Sequence, residues 1–286
     1  MMENFTHAAA DLYIPDALEA SAALARTTHL GVGAHQDDLE FMALHGILEC
    51  FEHGDSWFGA ITCTDGASSS RTAGYADVCD SEMKRIRGME QRTAGLIGQY
   101  GFVAQLGHPS RVAKVAGERR PMVDDLHALL RKARPRVIYT HNPFDKHSTH
   151  VGVLLALLEA IDGLEFHERP EQLIGCEVWR SLDWLPDEHK LLLDCSSHSQ
   201  LSEALARVFD SQISGGKRYD RAILGRRWAN ATFSESHAAD AASEISIAID
   251  LTGLIGNKSG LPVLVNELLD NFRSSVTDTL RDLAHQ

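Results

Sequence analysis

Short apolar runs alternating with stretches of helical periodicity predict an α/β fold. The expected form is a Rossmann-like three-layer sandwich with a mostly parallel central sheet and an elaborated C-terminal third. Two further observations support it. The 286 residues, 44% of them hydrophobic, suffice to bury a large core. The polar segments that interrupt the pattern follow the apolar runs, as loops at the carboxyl ends of parallel strands do.

Each element has its own signal. Residues 28–34 (THLGVGA) read as a buried strand, and 39–53 as a helix with Leu39, Met42, Ala43, Ile47 and Phe51 near one face. Residues 57–64 (WFGAITCT) are the second strand, and 65–80 a Gly- and Ser-containing loop. A helix is expected over 81–100, its apolar side formed by Met83, Ile86, Met89 and Leu96. A third strand falls at 102–106, a helix at 122–133 ended before Pro135, and a fourth strand at 136–140. Another polar loop, 141–149, precedes the nearly all-apolar helix 151–161. Beyond 162 the signals thin: strands at 175–179, 190–194 and 245–251, helices at 200–209 and 260–280, and a basic, aromatic stretch at 212–231. No domain boundary is legible, so 1–286 reads as a single domain, with a core of about 28–161 and an elaboration of about 162–286.

Composition removes some classes of function. A net charge of −13 argues against a nucleic-acid partner, which would require a basic face. Five cysteines without a C-x-x-C pair fit neither a disulfide framework nor a cysteine zinc knuckle. No basic segment opens the chain and no apolar run reaches 18 residues, so neither a signal peptide nor a membrane span is expected, and the expected compartment is the cytoplasm. The composition is compatible with a homo-oligomer.

Two clusters carry chemistry. His35-Gln36-Asp37-Asp38-Leu39-Glu40 lies where a strand gives way to a helix, a place where Asp37 or Asp38 could equally serve as a helix cap. His141-Asn142-Pro143-Phe144-Asp145-Lys146-His147-Ser148-Thr149-His150 follows the fourth strand, and the three-residue step from His147 to His150 can turn both imidazoles to one side. The parallel sheet brings both clusters to one edge. Two histidines and a carboxylate with an open fourth position make a catalytic zinc site. Asp37 and Asp38 are adjacent, so one can bind metal while the other faces its water.

The strand-H-x-D-D-x-E and D-x-H-x-x-H patterns resemble the PIG-L/LmbE family of zinc-dependent de-N-acetylases over roughly residues 29–161, with T-D-G at Thr64-Asp65-Gly66 and R-x-x-E from Arg87 to Glu90 in addition. The resemblance implies a small amino-sugar substrate that loses an N-acetyl group. It implies His35, Asp38 and His150 as metal ligands, Asp37 as general base, His147 as the group steadying the oxyanion or leaving amine, Asp145 as the carboxylate orienting His147, and Arg87 as a sugar contact. The bound ion would be Zn²⁺, with Fe²⁺ equally suited to imidazole and carboxylate. Gln36 stands where the family usually has proline, and Ser148-Thr149 where it often has Pro-Asp.

Other signals are weaker. Asp65 and Arg71 flank a loop at the same edge that could hold sugar hydroxyls or form a lid. Gly215-Gly216-Lys217-Arg218-Tyr219 lacks the P-loop pattern, and reads as a structural or substrate-contacting loop. Trp179, Trp184 and Trp228 are candidates for stacking on a sugar, and His237 for reaching the site from the C-terminal third. Three other readings compete with the amino-sugar deacetylase: a metal-dependent hydrolase of another amide or ester, a silent sugar-binding homologue, and a nucleotide-dependent Rossmann enzyme. G-x-G at Gly31 to Gly33 invites the last, but no third glycine follows.

Overall fold

The computed structural model describes residues 5–284. Eight strands form one mixed sheet: β1 (Asp11–Tyr13), β2 (His29–Gly33), β3 (Phe58–Thr64), β4 (Phe102–His108), β5 (Val137–His141), β6 (Gln172–Cys176), β7 (Leu191–Asp194) and β8 (Ile245–Asp250). Their order is β1-β4-β3-β2-β5-β6-β8-β7. The five inner strands from β4 to β6 are parallel, while β1, β8 and β7 join antiparallel at the flanks. The polar segments after β2, β3 and β5 therefore lie together at one edge of the sheet.

Eleven α-helices are present among the described residues: α1 (Ala20–Ala25), α2 (Asp38–Met42), α3 (Leu44–Leu48), α4 (Asp80–Ile97), α5 (Ser110–Lys114), α6 (Arg120–Ala133), α7 (Ser148–Asp162), α8 (Ser199–Arg207), α9 (Asp210–Ile213), α10 (Tyr219–Phe233) and α11 (Leu261–Ala284). Strand alternation divides the core in two. Leu30, Val32, Ile61 and Ile138 face α6 and α7, where Leu126, Leu129, Leu130, Leu154 and Leu157 are buried. Phe58, Ala60, Tyr139 and Ile174 face α2, α3 and α8, where Leu39, Met42, Ile47 and Leu205 are buried. Apolar cover on both faces is why the parallel strands read as unbroken apolar runs rather than as an alternating pattern.

The G-x-G of β2 has a packing reason. A Cβ on Gly33 would lie 3.0 Å from Leu39 Cδ2 and 3.2 Å from Asp38 Cβ, so the missing side chain lets α2 settle directly on the strand. This places the H-x-D-D turn at the strand's end and accounts for the glycines without a nucleotide.

Several expectations need correction. The helix expected over 39–53 is two short helices, because Ala43 at φ −108°, ψ 20° interrupts the first. In α4 the inward side is Met83, Arg87, Gln91, Ala94 and Gly95. Met89 and Leu96, assigned to an apolar side, are 52% and 56% exposed. His141 belongs to β5, and α7 begins at Ser148 rather than at 151. Strand β1 and helices α1 and α5 had no clear sequence signal.

Candidate metal centre and active site

At the carboxyl ends of β2 and β5, three side chains turn their donor atoms toward one point. His35 Nδ1 lies 3.3 Å from one oxygen of Asp38, His150 Nε2 lies 3.4 Å from the other, and the two ring nitrogens are 3.2 Å apart. Donors about 2.0–2.1 Å from a tetrahedral zinc ion sit about 3.3 Å from one another, so this set fits a divalent cation.

The local chain explains the convergence. His35 lies two residues beyond the end of β2, Asp38 opens α2 three residues on, and its carboxylate also accepts the main-chain N–H groups of Ala34 and His35 at 3.1 and 2.7 Å. His150 lies in the first turn of α7 and is fully buried. Burial favours the neutral form of His35 and lowers its pKa to about 4, which keeps a lone pair free. Burial would raise the pKa of Asp38, but His150 and His141 outweigh it and hold the group well below the usual carboxylate range.

Asp145 is placed differently from the expectation. Its Oδ2 lies 3.1 Å from His150 Nδ1, while it meets His147 only through that residue's main-chain N–H, at 2.9 Å. It thus orients His150, because the turn before α7 brings the carboxylate under the helix's first turn. His147 packs its ring against His150 and His35, with centroids 4.5 and 5.0 Å apart. Its Nδ1 is buried without a partner.

Asp37 is 5% exposed and sits at φ 96°, a backbone region that non-glycine residues rarely adopt. The neighbouring helix holds it there. Gln91 Oε1 accepts the Asp37 N–H at 3.3 Å, and Gln91 is in turn fixed by Glu40 at 2.8 Å. Arg87 donates to the carbonyls of Gln36 and Gly66, and lies 3.5 Å from the Asp37 carboxylate. Burial raises the Asp37 pKa well above the usual range; Arg87 opposes the rise and Asp38 adds to it. Arg87, expected as a sugar contact, is 4% exposed and spends these donors on the turn that carries Asp37. Gln36 fills the position where proline was expected: its amide reaches Gln105 at 3.2 Å. Gly66 adopts φ 67°, a left-handed conformation that favours glycine, and its missing side chain leaves room for Gln36 Oε1 and Arg87.

His141 was quoted in its cluster but given no role. Fully buried, it stacks on His150 with centroids 3.9 Å apart, and its Nε2 lies 3.4 Å from Asp38 Oδ2. That nitrogen accepts the Ala34 N–H at 2.9 Å, and His141 forms with Asp38 and His150 a second donor group close enough to share a metal ion. Its position as the last residue of a strand neighbouring β2 was the available signal.

A cavity of about 650 Å³ opens over the cradle. Its lining includes His35, Asp37, Asp38, Arg87, His147 and Thr149, and the aromatic pair Trp179 and Tyr219, whose rings meet edge-on at 6.0 Å. Asp65 and Arg71 do not line it. Asp65 pairs with Lys84 at 2.7 Å, and Arg71 ties its own loop to Val78 and Asp80. Trp184 packs between Phe144 and Phe272, Trp228 is 53% exposed, and His237 is exposed away from the cavity.

Fold and donor set together define an α/β protein with a candidate divalent-cation site at the carboxyl edge of its sheet. Residues 30–161 match the family model described as PIG-L, GlcNAc-PI de-N-acetylase. No curated protein matches the sequence. Among solved structures, the conserved protein TT1542 from Thermus thermophilus is 20% identical, with TM-score 0.61 over 79% of this chain and 94% of that one. N,N'-diacetylchitobiose deacetylase from Pyrococcus horikoshii is 16% identical, with TM-score 0.62 over 80% and 85%. GalB, the 4-carboxy-2-hydroxymuconate hydratase from Pseudomonas putida, is 16% identical, with TM-score 0.59 over 79% and 96%. At these identities the likeness is one of fold. Among the described residues no helix is long and apolar enough to cross a membrane.

Proposed function

We propose that this chain is a metal-dependent hydrolase that removes an N-acetyl group from an amino-sugar substrate, with His35, Asp38 and His150 holding the ion. The observation that carries the reading is a second carboxylate, Asp37, buried beside a three-donor cradle and held there in a strained turn. The family's description, and a diacetylchitobiose deacetylase of the same fold, support an amide as the bond cleaved.

Held by His35, Asp38 and His150, a zinc or iron(II) ion would supply Lewis acidity toward the amide carbonyl and would lower the pKa of water to about 7. Asp37, its proton affinity raised by burial, accepts the water proton and returns it to the departing nitrogen. His147, against both ligand rings, steadies the negative charge that grows on the carbonyl oxygen. Trp179 and Tyr219 offer the apolar wall on which a sugar ring stacks.

The test is release of free amine from a panel of N-acetylated amino sugars by zinc-loaded protein. Asp37→Asn should lower kcat by about 10²–10⁴-fold while leaving the zinc content unchanged. A variant that turned over at the wild-type rate would remove Asp37 from its role. GalB has the same fold, so water addition to an unsaturated carboxylate is a second reading. It predicts bleaching of a conjugated substrate and no amine release.

A further inference from the structure

The sequence contains seven lysines in a chain of net charge −13. Lys84, Lys190 and Lys258 pair with Asp65, Asp187 and Asp162 at 2.7, 2.7 and 3.7 Å. Lys114, Lys146 and Lys217 have no acidic partner among the described residues, and all three line the cavity over the metal cradle. They come from three separate segments: the end of α5, the turn before α7, and the loop between α9 and α10. Lys146 and Lys217 both lie over the ring of Trp179, their ammonium groups 5.9 and 5.7 Å from its centroid. The lining contains just two carboxylates, Asp37 and Asp38, and both belong to the cradle.

Burial adds a second observation. Thr149 lines the same cavity and is fully buried, yet its hydroxyl has no partner. A buried hydroxyl without a partner costs free energy that a ligand oxygen can recover.

We infer that the substrate is an anion: the molecule whose acyl group is removed also carries a carboxylate or a phosphate, held by Lys114, Lys146 and Lys217 around Trp179. The inference rests on the reading of this cavity as the substrate site. In a protein that is acidic overall, three unneutralised cations at one mouth concentrate an anionic ligand there and repel a cationic one. A neutral glycoside would leave all three charges unmatched. Lys217 lies outside the segment matching the family model, so this part of the recognition comes from the C-terminal third.

The experiment measures binding and turnover separately on the zinc-loaded full chain. Three probes are compared: N-acetylglucosamine, N-acetylglucosamine 6-phosphate and N-acetylmuramic acid. At low salt, one of the two anionic probes should bind about tenfold or more tightly than the neutral sugar, and the preference should shrink in about 0.5 M sodium chloride. Which anion wins distinguishes phosphate from carboxylate. In Lys114→Gln, Lys146→Gln and Lys217→Gln the ratio of affinities should fall about threefold or more each, and Lys217→Arg should retain it. Equal affinity for neutral and anionic probes overturns the inference. So does a preference that survives in the triple glutamine variant, since the anion would then be reading the metal alone. Preference without amine release would leave this inference standing and sink the hydrolase reading, whereas amine release without preference would do the reverse.

Discussion

Asp145 Oδ2 lies 3.1 Å from His150 Nδ1, so one nitrogen of that imidazole is committed to a carboxylate and the other faces His35 and Asp38. Burial alone would disfavour a proton on His150, yet Asp38 and Asp145 outweigh it and raise the pKa. The same pull fixes the ring's orientation and would increase the basicity of Nε2, the nitrogen proposed to bind the metal. Asp145→Asn keeps the shape and removes the charge. It should weaken zinc binding by about 10–100-fold, measured by competition with a chromogenic chelator. Unchanged affinity would mean that Asp145 shapes the loop and nothing more.

Arg87 separates two roles by kinetics. As a sugar contact, its loss would raise KM and spare kcat. As the support of Asp37, its loss would lower kcat with little change in KM, because two carbonyls and a strained turn would lose their donors. The second outcome is expected for Arg87→Leu, with kcat down by about 10²-fold. Arg87→Lys should recover only part of it, since an ammonium cannot span both carbonyls in the same plane.

How far the site could be read in advance follows from where each residue gets its meaning. His35, Asp37 and Asp38 follow a strand signalled by Leu30 and Val32, and the parallel order brings them to the edge that β5 reaches with His141. Their convergence was therefore legible from the alternation of strands and helices. The partner of Asp145 was not, because one turn of backbone decides between His147 and His150. The inward side of α4 was misread for a physical reason: its 3.6-residue register from Met83 passes through Arg87 and Gln91, which are buried because they bond to the Asp37 turn. Hydrophobicity cannot reveal polar groups buried by such pairing. Strand β1, three residues on an antiparallel flank, is too short to show a period.

Arg227 ties the C-terminal third to the cradle. It is fully buried in α10 and donates to the carbonyls of Glu40 and Phe41 at 2.8 and 3.0 Å, with Ser202 at 3.1 Å and Glu244 at 3.9 Å. Those carbonyls end the short helix that begins with Asp38. Arg227→Met would leave them unpaired and Glu244 buried without a cation, at a cost of about 3–5 kcal/mol. Denaturant unfolding should show a lower midpoint, and zinc affinity should fall with it, since α2 carries the proposed ligand Asp38. A midpoint shift with zinc affinity intact would confine Arg227 to stability.

Acid sensitivity has a source away from the cradle. His29 opens β2, is 7% exposed, and burial lowers its pKa from 6.5 to about 4. The folded state therefore keeps this ring neutral while the unfolded chain takes up a proton near pH 6.5. The unfolded state binds more protons in the window between, so stability rises with pH there and falls as pH drops from 6.5 toward 4. For one proton the slope is at most about 1.4 kcal/mol per pH unit. His29→Gln removes the titrating group and should flatten the fall in thermal midpoint measured between pH 7 and 5, on metal-free protein so that ligand protonation at the cradle does not enter as zinc loss. Wild type and variant descending in parallel would show that His29 is protonated in the fold as easily as in the open chain.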